Sequence, residues 1–129
     1  MAERRVVITG LGMLSPVGNN VIDSWDNILK GKSGAKPLDK FDVTDFDTKF
    51  AATVDLNIED YLDKKEIRRT DPFIQYGLIA SQECVDDSQI KLDQTDLTKF
   101  GVSIGSGIGG LGTIEENKIV HGWLMQHTN

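Results

Sequence analysis

The side chains able to do chemistry are few, and their spacing sorts them quickly. The chain has one cysteine, Cys84. A thiol attacks only as thiolate, which needs a cation, an imidazole or a helix N-terminus beside it. Cys84 instead falls in the middle of a predicted helix, next to Glu83 and far in sequence from His121 and His127. Its expected role is core packing, because free cysteine is among the most buried residue types. The two histidines stand six apart with no third ligand at metal spacing, so no zinc site is expected. Glu115 and Glu116 suit an exposed helix face, and no acid-base pair can be assembled from the sequence. The residues therefore give no catalytic group, no metal site and no requirement for a cofactor.

Two stretches say more. In the run Lys64, Lys65, Arg68, Arg69, a helix would put Lys64 beside Arg68 and Lys65 beside Arg69, with all four cations on one side. Like charges at that spacing weaken a helix, so helix stability does not explain them. The segment carries +3 in a chain of net charge -6, which leaves -9 elsewhere. A cationic knob on an acidic body suits docking of an acidic partner. The plainer alternative is a solvated face neutralised locally by Asp63, Glu66 and Asp71.

The second stretch is Phe100 to Gly112, FGVSIGSGIGGLG, with five glycines from Gly105 onward. Phe100, Val102 and Ile104 alternate with small residues, which predicts a strand with a buried face. Ile108 is the bulky residue among the glycines, next to Gly107. It is either a packing plug, the ordinary fate of an apolar side chain, or a movable wall for an apolar ligand. Gly105, Gly107 and Gly110 also fit G-x-G-x-x-G. That pattern is weak without a crossover helix, a second strand and an acidic residue about 20 positions on. The earlier turn Thr9 to Gly12 fails differently, since Pro16 sits where a phosphate-binding helix should begin. A nucleotide-dependent oxidoreductase is not expected.

The elements that position these residues follow from pattern. With 39% hydrophobic and 26% charged residues, the 129-residue chain is globular, and forms one domain or part of one. Its acidic balance disfavours nucleic acid. No apolar run reaches membrane-span length, and MAERRVVITG has too short an apolar stretch for a signal peptide to be expected. One cysteine excludes an internal disulfide and suits the cytoplasm. Val6 to Ile8 reads as a strand buried on both faces, as in parallel sheets. Asn20 should cap a helix burying Val21, Trp25, Ile28 and Leu29, with Gly31 ending it. Lys32 to Asp47 reads as irregular, with Phe41 and Phe46 as anchors to the core. Lys49 to Val54 is a candidate strand, and Asn57 a cap for Ile58 to Leu62. Asp71 should cap a long, largely buried helix with Pro72 first, lined by Phe73, Gly77, Ala80 and Cys84, with Ile74, Leu78 and Val85 alongside. Leu111 to Leu124 reads as helical. The order predicts an α/β fold with a parallel-rich, layered sheet.

Four ordered motifs then converge. RRVVITGLGMLSPVGNN, the Gly31-Lys32-Ser33-Gly34 turn, KKEIRRTDPFIQYG and GVSIGSGIGGLGTIEEN make the chain resemble the N-terminal part of the beta-ketoacyl-acyl carrier protein synthase II family, over about residues 4–117. The resemblance implies a partial thiolase-like layered α/β fold, a homodimer and cytoplasmic fatty-acid elongation. The implied reaction is decarboxylative condensation of an acyl group with malonyl-acyl carrier protein, without a cofactor. It further implies that Lys65, Arg68 and Arg69 contact acyl carrier protein and that Gly107 and Ile108 form the gate of the acyl pocket.

Cys84 matches none of the family's catalytic residues. Its nucleophilic cysteine, two histidines, lysine and C-terminal glycine-rich loop lie beyond Asn129, so the chain alone is expected to be inactive and to fold marginally. Residues 1–117 are expected to form the N-terminal part of the synthase domain, and 118–129 a divergent tail without family match. KIVHGWLMQHTN lacks the family's basic and aromatic loop, as a shifted reading frame or early stop would produce. A reading from another class is a non-catalytic carrier-protein-binding fragment or partner of a complete synthase.

Overall fold

A computed structural model describes residues 4–127, and the side chains of residues 4–119. Helix α1, Val21–Leu29, starts as expected. Asn20 accepts from the Asp23 N–H at 2.7 Å, and its own amide donates to the Asp23 carboxylate at 2.7 Å. That arrangement satisfies one of the orphan donors of the first turn. The chain leaves through Gly31 at φ 66°.

The face that α1 buries is not the expected one. Ser24 is fully buried, while Trp25 is 59% exposed, and Ile28 and Leu29 are also exposed. Ser24 Oγ donates to the Gly18 carbonyl at 3.0 Å and lies 2.9 Å from Ser15 Oγ. Asn27 donates to the Val17 carbonyl at 2.6 Å. The Ser15 to Gly18 turn presents carbonyls that need donors, and the polar side of α1 supplies them. Among the described residues nothing covers the apolar side.

Strands β1, Ala35–Pro37, and β2, Phe50–Ala52, pair antiparallel with Lys36 opposite Ala51. β2 meets the expectation for Lys49 to Val54, whereas β1 arises in a stretch read as irregular. Pro37 lacks a donor but sits at the end of a two-stranded ladder, where proline is tolerated. Phe41 and Phe46 meet edge to face, with ring centroids 5.9 Å apart, yet both stay exposed. They anchor one another and not a core.

Helix α2, Lys64–Ile67, is capped by Asp63, which accepts from the Lys65 and Glu66 N–H groups at 2.8 Å each. Helix α3, Pro72–Ser88, follows with proline at its first turn, and helix α4 spans Leu111–His127. α3 is less buried than its pattern predicts. Only Gln75 and Ile79 are buried along it, whereas Phe73, Ile74, Leu78 and Val85 remain exposed.

Neither expected strand at the two apolar runs forms a ladder. Val6 is 93% exposed, Val7 and Ile8 are exposed, and so are Phe100, Val102 and Ile104. The named strands among the described residues pair antiparallel, so they do not make the parallel-rich sheet that the runs predicted. Parallel strands need neighbours on both edges and cover on both faces, and the described residues provide neither. The accessible surface shows the consequence. It is 11249 Å², against roughly 6800 Å² for a compact chain of this mass.

Candidate functional site: a cationic helix beside a glycine-rich segment

The cations stand on a firmly mounted turn. Gln75, buried on α3, donates to the Ile67 and Thr70 carbonyls at 3.0 and 2.6 Å. Thr70 Oγ1 closes the same turn on the Glu66 carbonyl at 2.6 Å. These bonds hold the end of α2 against α3 and satisfy carbonyls the short helix leaves open. Lys64 is drawn aside by Glu59, 3.9 Å away. Lys65, Arg68 and Arg69 are exposed and make no ion pair among the described residues. Three like charges held outward without a counter-ion give a positive patch that a complementary surface can neutralise.

The glycine-rich segment meets this mount at Asp71. Thr113, in the first turn of α4, donates from Oγ1 to the Asp71 carboxylate. Gly110 lies so close to that carboxylate that a Cβ would overlap it. Gly109, at φ 82°, faces the Phe73 ring, whose nearest atoms would lie 3.7 Å from an added Cβ. A cavity of ≈ 590 Å³ lies here, lined by Asp71, Phe73, Tyr76, Gly109, Gly110 and Thr113 among others. Gly107 has open space around it, and Ile108 is 72% exposed. The seam where Asp71 meets Gly110 and Thr113, at the start of α3, thus lies two residues after Arg69 on one stretch of chain and two residues after Ile108 on the other. Nothing in the sequence pattern marks Asp71 and Thr113 as its closure. Asp71 reads simply as a cap.

Cys84 is half-buried and donates from Sγ to the Gly10 carbonyl at 3.3 Å, as a small packed side chain would. Its neighbour Glu83 has a role that the sequence did not reveal. One carboxylate oxygen accepts from the Met13 N–H and the other from the Val21 N–H, both at 2.8 Å. Asp87 accepts from the Leu11 N–H at 2.9 Å. Gly10 and Gly12 lie against the α3 backbone, with the Cys84 amide only 2.8 Å from where a Gly12 Cβ would stand. A cleft of ≈ 740 Å³ runs beside this contact, between Leu11, Tyr61, Leu78 and Glu83.

Glu115 and Glu116 are exposed, as expected. The side chains of His121 and His127 lie outside the described residues. Among the described residues, no group of three or more metal-ligating side chains comes together, and no helix is long and apolar enough to cross a membrane.

The geometry has the backbone of a known class. It superposes on the ishigamide ketosynthase/chain length factor with a TM-score of 0.71 and 25% sequence identity, over 94% of this chain and 31% of that one. The fold is therefore that of part of a thiolase-like ketosynthase, mixed in helix and strand. The family model for the beta-ketoacyl synthase N-terminal domain matches residues 3–127, and the chain belongs to that family. Similar relatives are the 3-oxoacyl-[acyl-carrier-protein] synthase 2 proteins of Vibrio harveyi, 49% identical over 116 residues, and Coxiella burnetii, 48% over 118. That of Staphylococcus aureus strain COL is 45% identical over 124 residues. These alignments take in 89%, 91% and 95% of this chain but only 28–29% of the relatives.

Proposed function

We propose that the chain forms the N-terminal part of a beta-ketoacyl-acyl carrier protein synthase II, which elongates fatty acyl chains in the cytoplasm as a homodimer. In that reaction an acyl group passes from acyl carrier protein to a cysteine of the whole enzyme. Malonyl-acyl carrier protein then loses CO2, and the carbanion formed attacks the acyl thioester. Residues 4–117 contribute two functions to it. Lys65, Arg68 and Arg69 dock the acidic carrier protein. Ile108, on the Gly107 hinge, walls the acyl pocket, where burial is worth about 0.8 kcal/mol for each CH2 of the chain. Val6 to Ile8 and Phe100 to Ile104 add to a parallel-rich sheet in the whole protein. The tail read as lying outside the family match does not do so as far as residue 127, where both the family match and helix α4 end.

The observation that carries the docking half is the set of three exposed cations that make no ion pair among the described residues, while Lys64 has one. Arg68→Glu with Arg69→Glu tests it. The expected result is loss of acyl carrier protein binding by the 129-residue chain, with binding by the parent chain weakening steeply as salt rises. Unchanged affinity in the double variant sinks the docking role.

A second reading is a carrier-protein-binding fragment without catalysis, or a partner of a complete synthase. It is favoured by Cys84, whose thiol donates to the Gly10 carbonyl as a packed side chain would. Carrier-protein binding without any 3-oxoacyl product from the purified chain is its expected outcome. Product formation free of a full-length contaminant removes it.

A further inference from the structure

Asp71 occupies the N-cap position of α3 but makes no side-chain bond to that helix. Its carboxylate instead takes the hydroxyl of Thr113, 42 positions away in sequence. The same carboxylate presses on Gly110, and Phe73, two residues on, packs on Gly109. The far end of the glycine segment is therefore held, while its near end, Gly107 and Ile108, is open. Arg68 and Arg69 lie three and two positions before the residue that does the holding, with Thr70 between.

We infer that the Asp71–Thr113 bond is a latch that sets the position of Ile108 and couples it to occupancy of the Lys65, Arg68, Arg69 surface. The inference rests on the docking and gate roles proposed above. The two states differ in one contact. In the first, the Asp71 carboxylate accepts from Thr113 and fixes Gly109 and Gly110. In the second it turns back to accept from the first-turn amides of its own helix, the ordinary preference of an N-cap aspartate. An acidic partner arriving at Arg68 and Arg69 places negative charge near this carboxylate. Repulsion there, together with the partial positive charge at the α3 N-terminus, favours the second state. The glycine segment is then released, and Ile108 moves with it. Such a differential contact is what a coupling between two sites requires. Asp71 and Thr113 are positioning residues in this scheme, since neither touches substrate.

The test follows the Ile108 methyl groups by NMR in the 129-residue chain, in Asp71→Ala, Thr113→Val and Thr113→Ser. The expected result is that D71A and T113V displace the Ile108 resonance to a common new position, and that T113S, which keeps the hydroxyl, restores the original. Acyl carrier protein should move the parent resonance towards that same position and leave it unmoved in D71A. T113V lies outside α3 and keeps the question open to decision if D71A lowers helix content by circular dichroism. An unmoved Ile108 resonance in T113V overturns the latch. Movement in D71A alone does so too, because it reports only a damaged helix start. Should the carrier protein bind no variant by calorimetry, the docking role and the coupling fail, whereas the variant spectra still decide whether the latch exists.

Discussion

Two glycine-bearing turns follow two apolar runs, and they have different fates. The turn after Val6 to Ile8 is seated. Gly10 and Gly12 lie on the α3 backbone, and the Leu11 and Met13 amides are taken by Asp87 and Glu83. The turn after Phe100 to Ile104 is open. A Cβ added at Gly105 or Gly107 would meet no neighbour within 4 Å, and contact resumes only at Gly109 and Gly110. Both runs lack ladder partners among the described residues, so glycine content does not separate them. Reach does: α3 carries carboxylates that stand in for a strand's acceptors along the first turn, and only its first residues meet the second. Segments with few such contacts are the ones able to move at low cost, which is where ligand-gating residues are found.

The largest effect expected from this contrast is at Gly12. Gly12→Val drives a side chain into the backbone of Ala80 and Cys84, and should destabilise the seated turn by about 2–3 kcal/mol. Gly107→Val, placed in open space, should stay within about 0.5 kcal/mol. Amide exchange protection along α3 reports both. Equal effects at the two sites erase the distinction.

A smaller change is expected from Glu83→Ala, which removes the acceptor shared by Met13 and Val21. Bonds to charged groups contribute about 1.5–3 kcal/mol, and the exposure of Met13 points to the lower end. Exchange of those two amides should accelerate, while amides near Gly107 keep their rates. Acceleration at Gly107 would mean that the two turns are not independent.

The smallest effect concerns Asp96, ahead of the open run. The Thr98 hydroxyl, at 2.6 Å, and then its amide, at 3.1 Å, hold the Asp96 carboxyl below the ordinary carboxylate value. Asp42 is lowered in the same way by the Thr44 hydroxyl and amide. Because the folded value is depressed, the stabilisation is present above the ordinary carboxylate pKa and is lost as pH falls through the depressed one. The Thr98 amide resonance should titrate below the ordinary range, and Thr98→Ala should raise that midpoint. The Leu11 and Met13 amides should be indifferent to Thr98→Ala, and a response there would blur the contrast.

Much of the local structure was legible because its causes are local. Asn20 as a cap, Pro72 at the start of α3, the strand near Phe50 and the helix from Leu111 all rest on interactions a few residues long. The motifs around Lys65, Arg68, Arg69, Gly107 and Ile108 were legible as family resemblance. Burial was not. The apolar faces of α1 and α3 were read as buried because periodicity marks the face that seeks cover, without saying what supplies it. Ser24 was passed over because a serine at one helical position looks like any other. Its burial depends on the carbonyls of a turn folded against it.

The sequence alone therefore determined where helices start and stop, which residues carry the charge, and to which family the chain belongs, since each depends on residue types at short or fixed spacing. Tertiary structure alone decided that Glu83 clamps Met13 and Val21, that α1 turns its polar side inward, and that Asp71 leaves its own helix for Thr113. The first and third join groups 42 to 70 positions apart, and the second depends on how a turn folds back on the helix; a hydrogen bond is chosen by distance and direction in space.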